Sequence, residues 1–284
     1  MKRIFIIVFL TILSFSDAAF AQTFDPKVDQ YNAWVFYTGN HKLSEKWGLH
    51  TEFQWRRSEG FSDPMQNQVR LGLDYKINKT YMVTAGWSYV ETFEYGELAK
   101  ETPTPKYNQF KFNEQRIWQQ FVINHEHVGR FHYDSRFRLE QRWIANLVKE
   151  NGVDYTRPSD AYLAANPGAE DWRFRQRARY RFRVQVPLSN PEMKDNTLFL
   201  VASDEIFANF GKHTTANIFD QNRLYLALGW RFNKDFNIQT GYMNQFIEKG
   251  DGVHKENNHT YQLALTYNLD FTKMFKKKSI EENK

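Results

Sequence analysis

The segment WRFRQRARYRFRVQV, residues 172–186, carries arginine at every second position from Arg173 to Arg183, with Phe174, Ala178, Tyr180, Phe182, Val184 and Val186 on the alternate positions. Successive side chains of a β-strand point to opposite faces, so this period collects six guanidinium groups on one face and the apolar set on the other. A helix would scatter them around its circumference. Arginines on one strand face stand roughly 7 Å apart, and each neighbouring pair repels by about 0.6 kcal/mol in water and several times more where solvation is poor. Such a row must face water, anions or carboxylates.

The same alternation runs through the chain on both sides of this segment. Trp47, Leu49, Thr51, Phe53 and Trp55 oppose His50, Glu52, Gln54 and Arg56; Val69, Leu71, Leu73, Tyr75 and Ile77 oppose Gln68, Arg70, Asp74 and Lys76. Phe131, Tyr133, Phe137, Leu139 and Trp143 oppose His132, Asp134, Arg136, Arg138, Glu140 and Arg142. Counted from a first strand around Tyr31–Thr38 to a last one over Tyr261–Phe271, the pattern gives eleven segments. Most are close to the 9 to 11 residues that a tilted strand needs to cross a bilayer. Linkers near 42–46, 78–80, 125–129, 187–196 and 233–235 are short, and polar ones at 58–64, 94–112, 145–171, 208–220 and 248–258 are long.

This is the pattern of an all-β, antiparallel transmembrane β-barrel with short periplasmic turns and long extracellular loops. Single-chain bacterial barrels generally have even strand numbers, so the expectation is nominally twelve strands, with ten as the second count. A periplasmic β-sandwich would have shorter strands and outward faces less rich in Trp, Tyr, Phe and Leu.

Composition agrees with this reading. Mean hydropathy is −0.70, yet aromatic residues make up 17% of the chain and fall at alternating positions; only every second residue of a membrane strand meets lipid. The opening MKRIFIIVFLTILSFSDAAFAQ has the charged, apolar and small-residue order of a secretory signal, with cleavage expected after Ala21. The expected organisation is a signal peptide over 1–21, a barrel over 22–271 and a basic periplasmic tail over 272–284, in the outer membrane of a Gram-negative bacterium. Cysteine is absent, which excludes disulfides and thiolate metal sites.

One set of short motifs carries a family resemblance. Trp34 with Lys46-Trp47, Glu52 and Arg56, then Glu205-Ile206-Phe207 with Asn209, Asp220-Gln221-Asn222-Arg223, Gly229, Gly241-Tyr242 with Gln245, and Asn258-His259, resembles the bacterial outer-membrane barrels grouped as domain of unknown function 2490. The resemblance implies an envelope barrel over nearly the whole mature chain, with no established activity. The closing Tyr267, Leu269, Phe271 pattern is similar to the terminal signal read by the barrel-assembly machinery, although the chain continues past it to Lys284.

Parity also places the arginine row. One arginine on the lipid face at midplane costs about 2–4 kcal/mol, so six would cost on the order of 12–24, comparable to or above the stability of an ordinary domain. The row therefore faces the lumen, where inward cations outnumber inward carboxylates about two to one. Three readings follow. Arg173, Arg175, Arg177, Arg179, Arg181 and Arg183, with Arg136, Arg138 and Arg142, form a track that binds or passes an anionic small molecule or oligosaccharide. Alternatively, Asp134, Glu140 and Glu205 neutralise the row inside a filled barrel with a scaffold or surface role, as small barrels are commonly filled by side chains. Third, an outer-membrane lipid hydrolase would use His254 or His259 at the rim beside Ser58, Ser62 or Thr260, but no spacing picks out a triad. Glu52, Arg56, Asp134, Glu140, Glu205, Arg223 and Gln245 are read as a lumenal network. Eight dispersed histidines give no metal motif. No cofactor and no nucleic acid is expected; the expected partners are outer-membrane lipid, the assembly machinery and an anion.

Overall fold

The computed structural model describes residues 27–96, 110–150, 153–211, 214, 218–250 and 252–272. The expected signal segment and all but the first residue of the expected tail lie outside them. Eleven long strands close into one barrel: β1 (Lys27–Lys42), β2 (Trp47–Ser58), β3 (Asp63–Lys76), β4 (Tyr81–Thr92), β5 (Phe112–Asn124), β6 (His132–Ala145), β9 (Trp172–Pro187), β10 (Thr197–Phe210), β11 (Phe219–Arg231), β12 (Phe236–Glu248) and β13 (Lys255–Tyr267). The long β6–β9 connection holds a small hairpin, β7 (Val148–Glu150) with β8 (Val153–Thr156), and a short helix, α1 (Asp160–Ala165). Among the described residues no helix is long and apolar enough to cross a membrane.

The eleven segments read from alternation are the eleven barrel strands, and no twelfth is present among the described residues. An odd count closes because β1 and β13 pair in parallel, from Lys27 opposite Lys255 to Thr38 opposite Thr266, while every other neighbouring pair is antiparallel. The first strand thus starts at the end of the barrel that carries the long connections, and the last one finishes at the other end.

Several boundaries differ from the alternation pattern, β1 for one running four residues past the expected 31–38 at each end, and two of the differences have a local reason. The loop expected over 58–64 is a tight turn over 59–62, in which Glu59 and Gly60 take positive φ of 50° and 72°. The final strand stops at Tyr267, opposite the first residue of β12, so Leu269 and Phe271 have no antiparallel partner to continue it. Instead the Asn268 side chain accepts the Asn40 N–H at 2.8 Å, the Leu269 N–H reaches His41 Nδ1 at 3.0 Å, and the Phe271 ring lies 5.8 Å from that of His41.

Outward positions carry the apolar side chains. Leu71, Leu73, Trp87, Ile117, Phe137, Leu139, Leu224, Leu226 and Leu228 are all exposed, forming a band around the barrel. Aromatic pairs gather at the short-turn end: Trp47 on Tyr75, Tyr81 on Phe121 and Phe232 on Phe236, with ring centroids 4.8, 5.6 and 4.9 Å apart. Inward positions are mostly polar; the apolar ones include Trp118 and Phe207 and a cluster in which Trp34, Met65, Phe199, Val201, Tyr225, Ala227 and Met243 pack together with Tyr95, which enters from the β4–β5 connection.

Glycine lets this wall pack. Gly229 lies opposite Phe199, and a Cβ there would come within 2.3 Å of the Phe199 ring. Gly229→Ala is therefore expected to destabilise the barrel by about 1–3 kcal/mol through overpacking. Urea titration of the refolded barrel checks this, and a change below about 0.5 kcal/mol would contradict the packing.

Candidate anion site in the barrel lumen

The register sets the arginine row of β9 against β6: Arg175 opposite Arg142, Arg177 opposite Glu140, Arg179 opposite Arg138, Arg181 opposite Arg136 and Arg183 opposite Asp134. Directly opposed like charges would destabilise the pair of strands unless carboxylates reach between them. They do. Glu140, 0% exposed, accepts from Arg177 Nε and Nη2 at 2.9 and 2.6 Å, from Arg179 Nη1 at 2.7 Å and from Arg70 Nη2 at 3.3 Å. Glu205 bridges Arg179 at 2.8 Å and Arg136 at 2.6 Å. Asp134 takes Arg181 and Arg183 at 2.7 and 2.6 Å. The three carboxylates anticipated from parity thus meet the row, and Asp220 adds a contact to Arg177 at 2.7 Å.

Other members of the network were less legible. Glu114 on β5 accepts forked bonds from Arg116, at 2.6 and 2.9 Å, and from Arg142, at 2.5 and 3.1 Å. Its inward parity beside Arg116 was a usable signal. Alternation gave none for Phe207, although it stands in the family-like motif set: it is an apolar residue pointing inward, yet Arg177, Arg179 and Arg223 lie over its ring at 5.2, 4.3 and 4.8 Å. Arg138 bonds Gln120 Oε1 at 3.1 and 2.7 Å and lies 4.7 Å over Trp118.

A second cationic group stands on the wall formed by β1, β2, β11 and β12. Trp34 is opposite Arg56, and Arg223 is opposite Gln245. Arg56 and Arg223 lie over the same Trp34 ring, at 3.9 and 5.2 Å from its centroid. Arg56 donates to the amide oxygens of Gln54 and Gln66, Arg223 to Gln221 at 3.1 Å, and Gln245 donates to Gln221 at 2.5 Å. Glu52, two residues from Gln54 on the same face, pairs with Arg70 and accepts from Gln54. Trp34, Arg56, Gln221, Arg223 and Gln245, all from the family-like motif set, therefore meet in one place.

The two groups border a cavity of about 240 Å³ in the half of the barrel nearer the long connections. Its lining contains nine arginines and Lys249 against three carboxylates, Glu114, Asp220 and Glu248. Arg173, Arg175, Arg177 and Arg179 of the row line it, as does Arg142, whereas Arg136, Arg138, Arg181 and Arg183 do not. The lumen beyond is packed, with Trp118, Glu140, Val201 and Phe207 each 0% exposed.

Of the rim residues weighed for hydrolysis, His259 is on the opposite face from Ser58 and Thr260. His259 faces outward, with Nδ1 2.7 Å from the Tyr242 hydroxyl and Tyr31 stacked at 5.2 Å, while Ser58 and Thr260 are buried on the inward face.

Fold and site define a closed β-barrel with an apolar exterior and a cationic internal cavity. The chain belongs to the family described as protein of unknown function (DUF2490), whose model matches residues 31–257. A solved structure described as "NanC porin structure in rhombohedral crystal form" is similar over 84% of this chain and 99% of that chain, with 8% sequence identity and a TM-score of 0.44. No curated protein matches.

Proposed function

We propose that this protein is an outer-membrane β-barrel that binds an anionic solute in the cavity facing the long connections, with the packed lumen beneath closing the bore. The membrane placement rests on the outward band: an apolar surface continuous around a barrel is covered by lipid hydrocarbon, with aromatic residues at its edge. Insertion by the barrel-assembly machinery follows from that placement, and the long connections then face outside. One observation carries the binding reading, the lining of ten cations against three carboxylates. Guanidinium groups held in a water-poor cavity attract oxyanions far more strongly than they would on a surface, and forked donors suit carboxylate, sulfate and phosphate. Binding is preferred to passage because much of the row is already engaged by Glu140, Glu205 and Asp134, and because the packed side chains below, Trp118, Glu140, Val201 and Phe207, are fully buried.

The test pairs calorimetry with planar-bilayer recording on the purified, refolded barrel. Sulfate is expected to bind in the micromolar to millimolar range, more weakly as sodium chloride screens the site, with no steady conductance. Absence of sulfate binding would end the binding reading. A steady anion-selective current would replace it with passage.

A further inference from the structure

We infer that the anion in this cavity is held by the Arg56–Arg223 pair over Trp34 rather than by the arginine row, whose carboxylate-paired members keep the barrel filled. This rests on the binding reading above and names the group within the cavity that recognises the ligand.

The distinction comes from how each cation is satisfied. On the row, Arg177 and Arg179 each meet two carboxylates, and Arg181 and Arg183 share Asp134. An incoming anion would have to displace a carboxylate already held by bonds of 2.6 to 2.8 Å. Arg56 and Arg223 differ. Among the described residues neither forms an ion pair, and their bonds go to neutral amides of Gln54, Gln66 and Gln221. Two guanidinium groups over one indole repel each other, and a ring face offsets only part of that repulsion. An anion between or beside them removes the conflict. Arg138 also lacks a carboxylate partner, but it is 1% exposed and does not border the cavity, so no solute reaches it.

The surroundings supply the rest of a recognition site. The Trp34 indole nitrogen and Gln245 Oε1 are buried without a hydrogen-bond partner, an unmet donor and an unmet acceptor beside the two cations. Arg56, at 6% exposure, is fixed in place by its three bonds, while Arg223 is half-buried and borders the cavity with its Nη atoms uncommitted. One anchored and one adjustable fork, with neutral amides around them, suit a solute that carries an oxyanion next to hydroxyl or amide groups. A carboxylate, sulfate or phosphate ester on a sugar-like body has this chemistry.

Sulfate titration of the refolded barrel separates the possibilities. Arg223→Gln is expected to weaken sulfate by about tenfold or more, the size of a lost charge-assisted bond. Arg173→Gln combined with Arg175→Gln, both on the cavity side of the row, is expected to change it by less than about threefold. Arg223→Lys keeps the charge and loses the fork, so it folds as the native chain does and weakens binding by about threefold to tenfold. Retained affinity in both Arg223 variants, or loss confined to the row variant, overturns the assignment while leaving the cavity as an anion site. No binding by the unaltered barrel instead defeats the binding reading itself.

Discussion

Glu140→Gln is expected to lower the stability of the folded barrel by about 3–5 kcal/mol, because it leaves buried arginines without their countercharge. Glu140 is the shared acceptor of Arg70, Arg177 and Arg179, and none of its surface reaches solvent. The isosteric amide keeps the volume and one acceptor oxygen, so the loss isolates the charge. Its measure is the urea midpoint of barrel refolded into phospholipid vesicles, followed by the mobility shift of unheated protein on gels. Arg183→Gln provides the contrast: that side chain is 32% exposed and bonded only to Asp134 among the contacts that define the row, so its removal should cost no more than about 1 kcal/mol. Equal losses in the two variants, or a Glu140→Gln loss under about 1 kcal/mol, would show that the guanidinium groups are solvated and that the lumen is not packed as described.

The second large effect lies on the opposite face. Leu226 is 54% exposed, central in β11 and flanked outward by Leu224 and Leu228. Leu226→Arg is expected to cost about 2–4 kcal/mol in a bilayer, where the guanidinium must displace hydrocarbon near the midplane. The same substitution on a surface facing water would change stability by no more than about 0.5 kcal/mol. Comparing refolding yield and urea midpoint in vesicles therefore tests the membrane placement without reference to any ligand. A tolerated Leu226→Arg would mean that water, not lipid, covers the band.

The two substitutions also mark how far alternation alone can be read. The inward position of Glu140 and the outward position of Leu226 follow from parity, as do the row from Arg173 to Arg183 and its countercharges Asp134, Glu140 and Glu205. Glu114 was accessible to the same rule, since it precedes Arg116 by two residues on β5. Phe207 and Phe199 were not, because an apolar inward residue inverts the pattern, and only its neighbours across the lumen explain it. The turn over 59–62 was hidden as well: Glu59 accepts a left-handed conformation there, which its side chain does not advertise.

The sequence by itself determined that strands alternate between two environments, which face of each strand meets which, and that about a dozen such strands follow one another, the expected even number of twelve being one too many. It could do so because side-chain direction in a strand is a local property with a period of two residues. Tertiary structure alone decided that β1 and β13 close the ring in parallel, that the carboxylates reach particular arginines, and that Arg56 and Arg223 share Trp34. The last of these joins β2 and β11, separated in the ring by β1, β13 and β12. They depend on how closure and strand stagger bring opposite walls together, a property of the whole ring that no local period encodes.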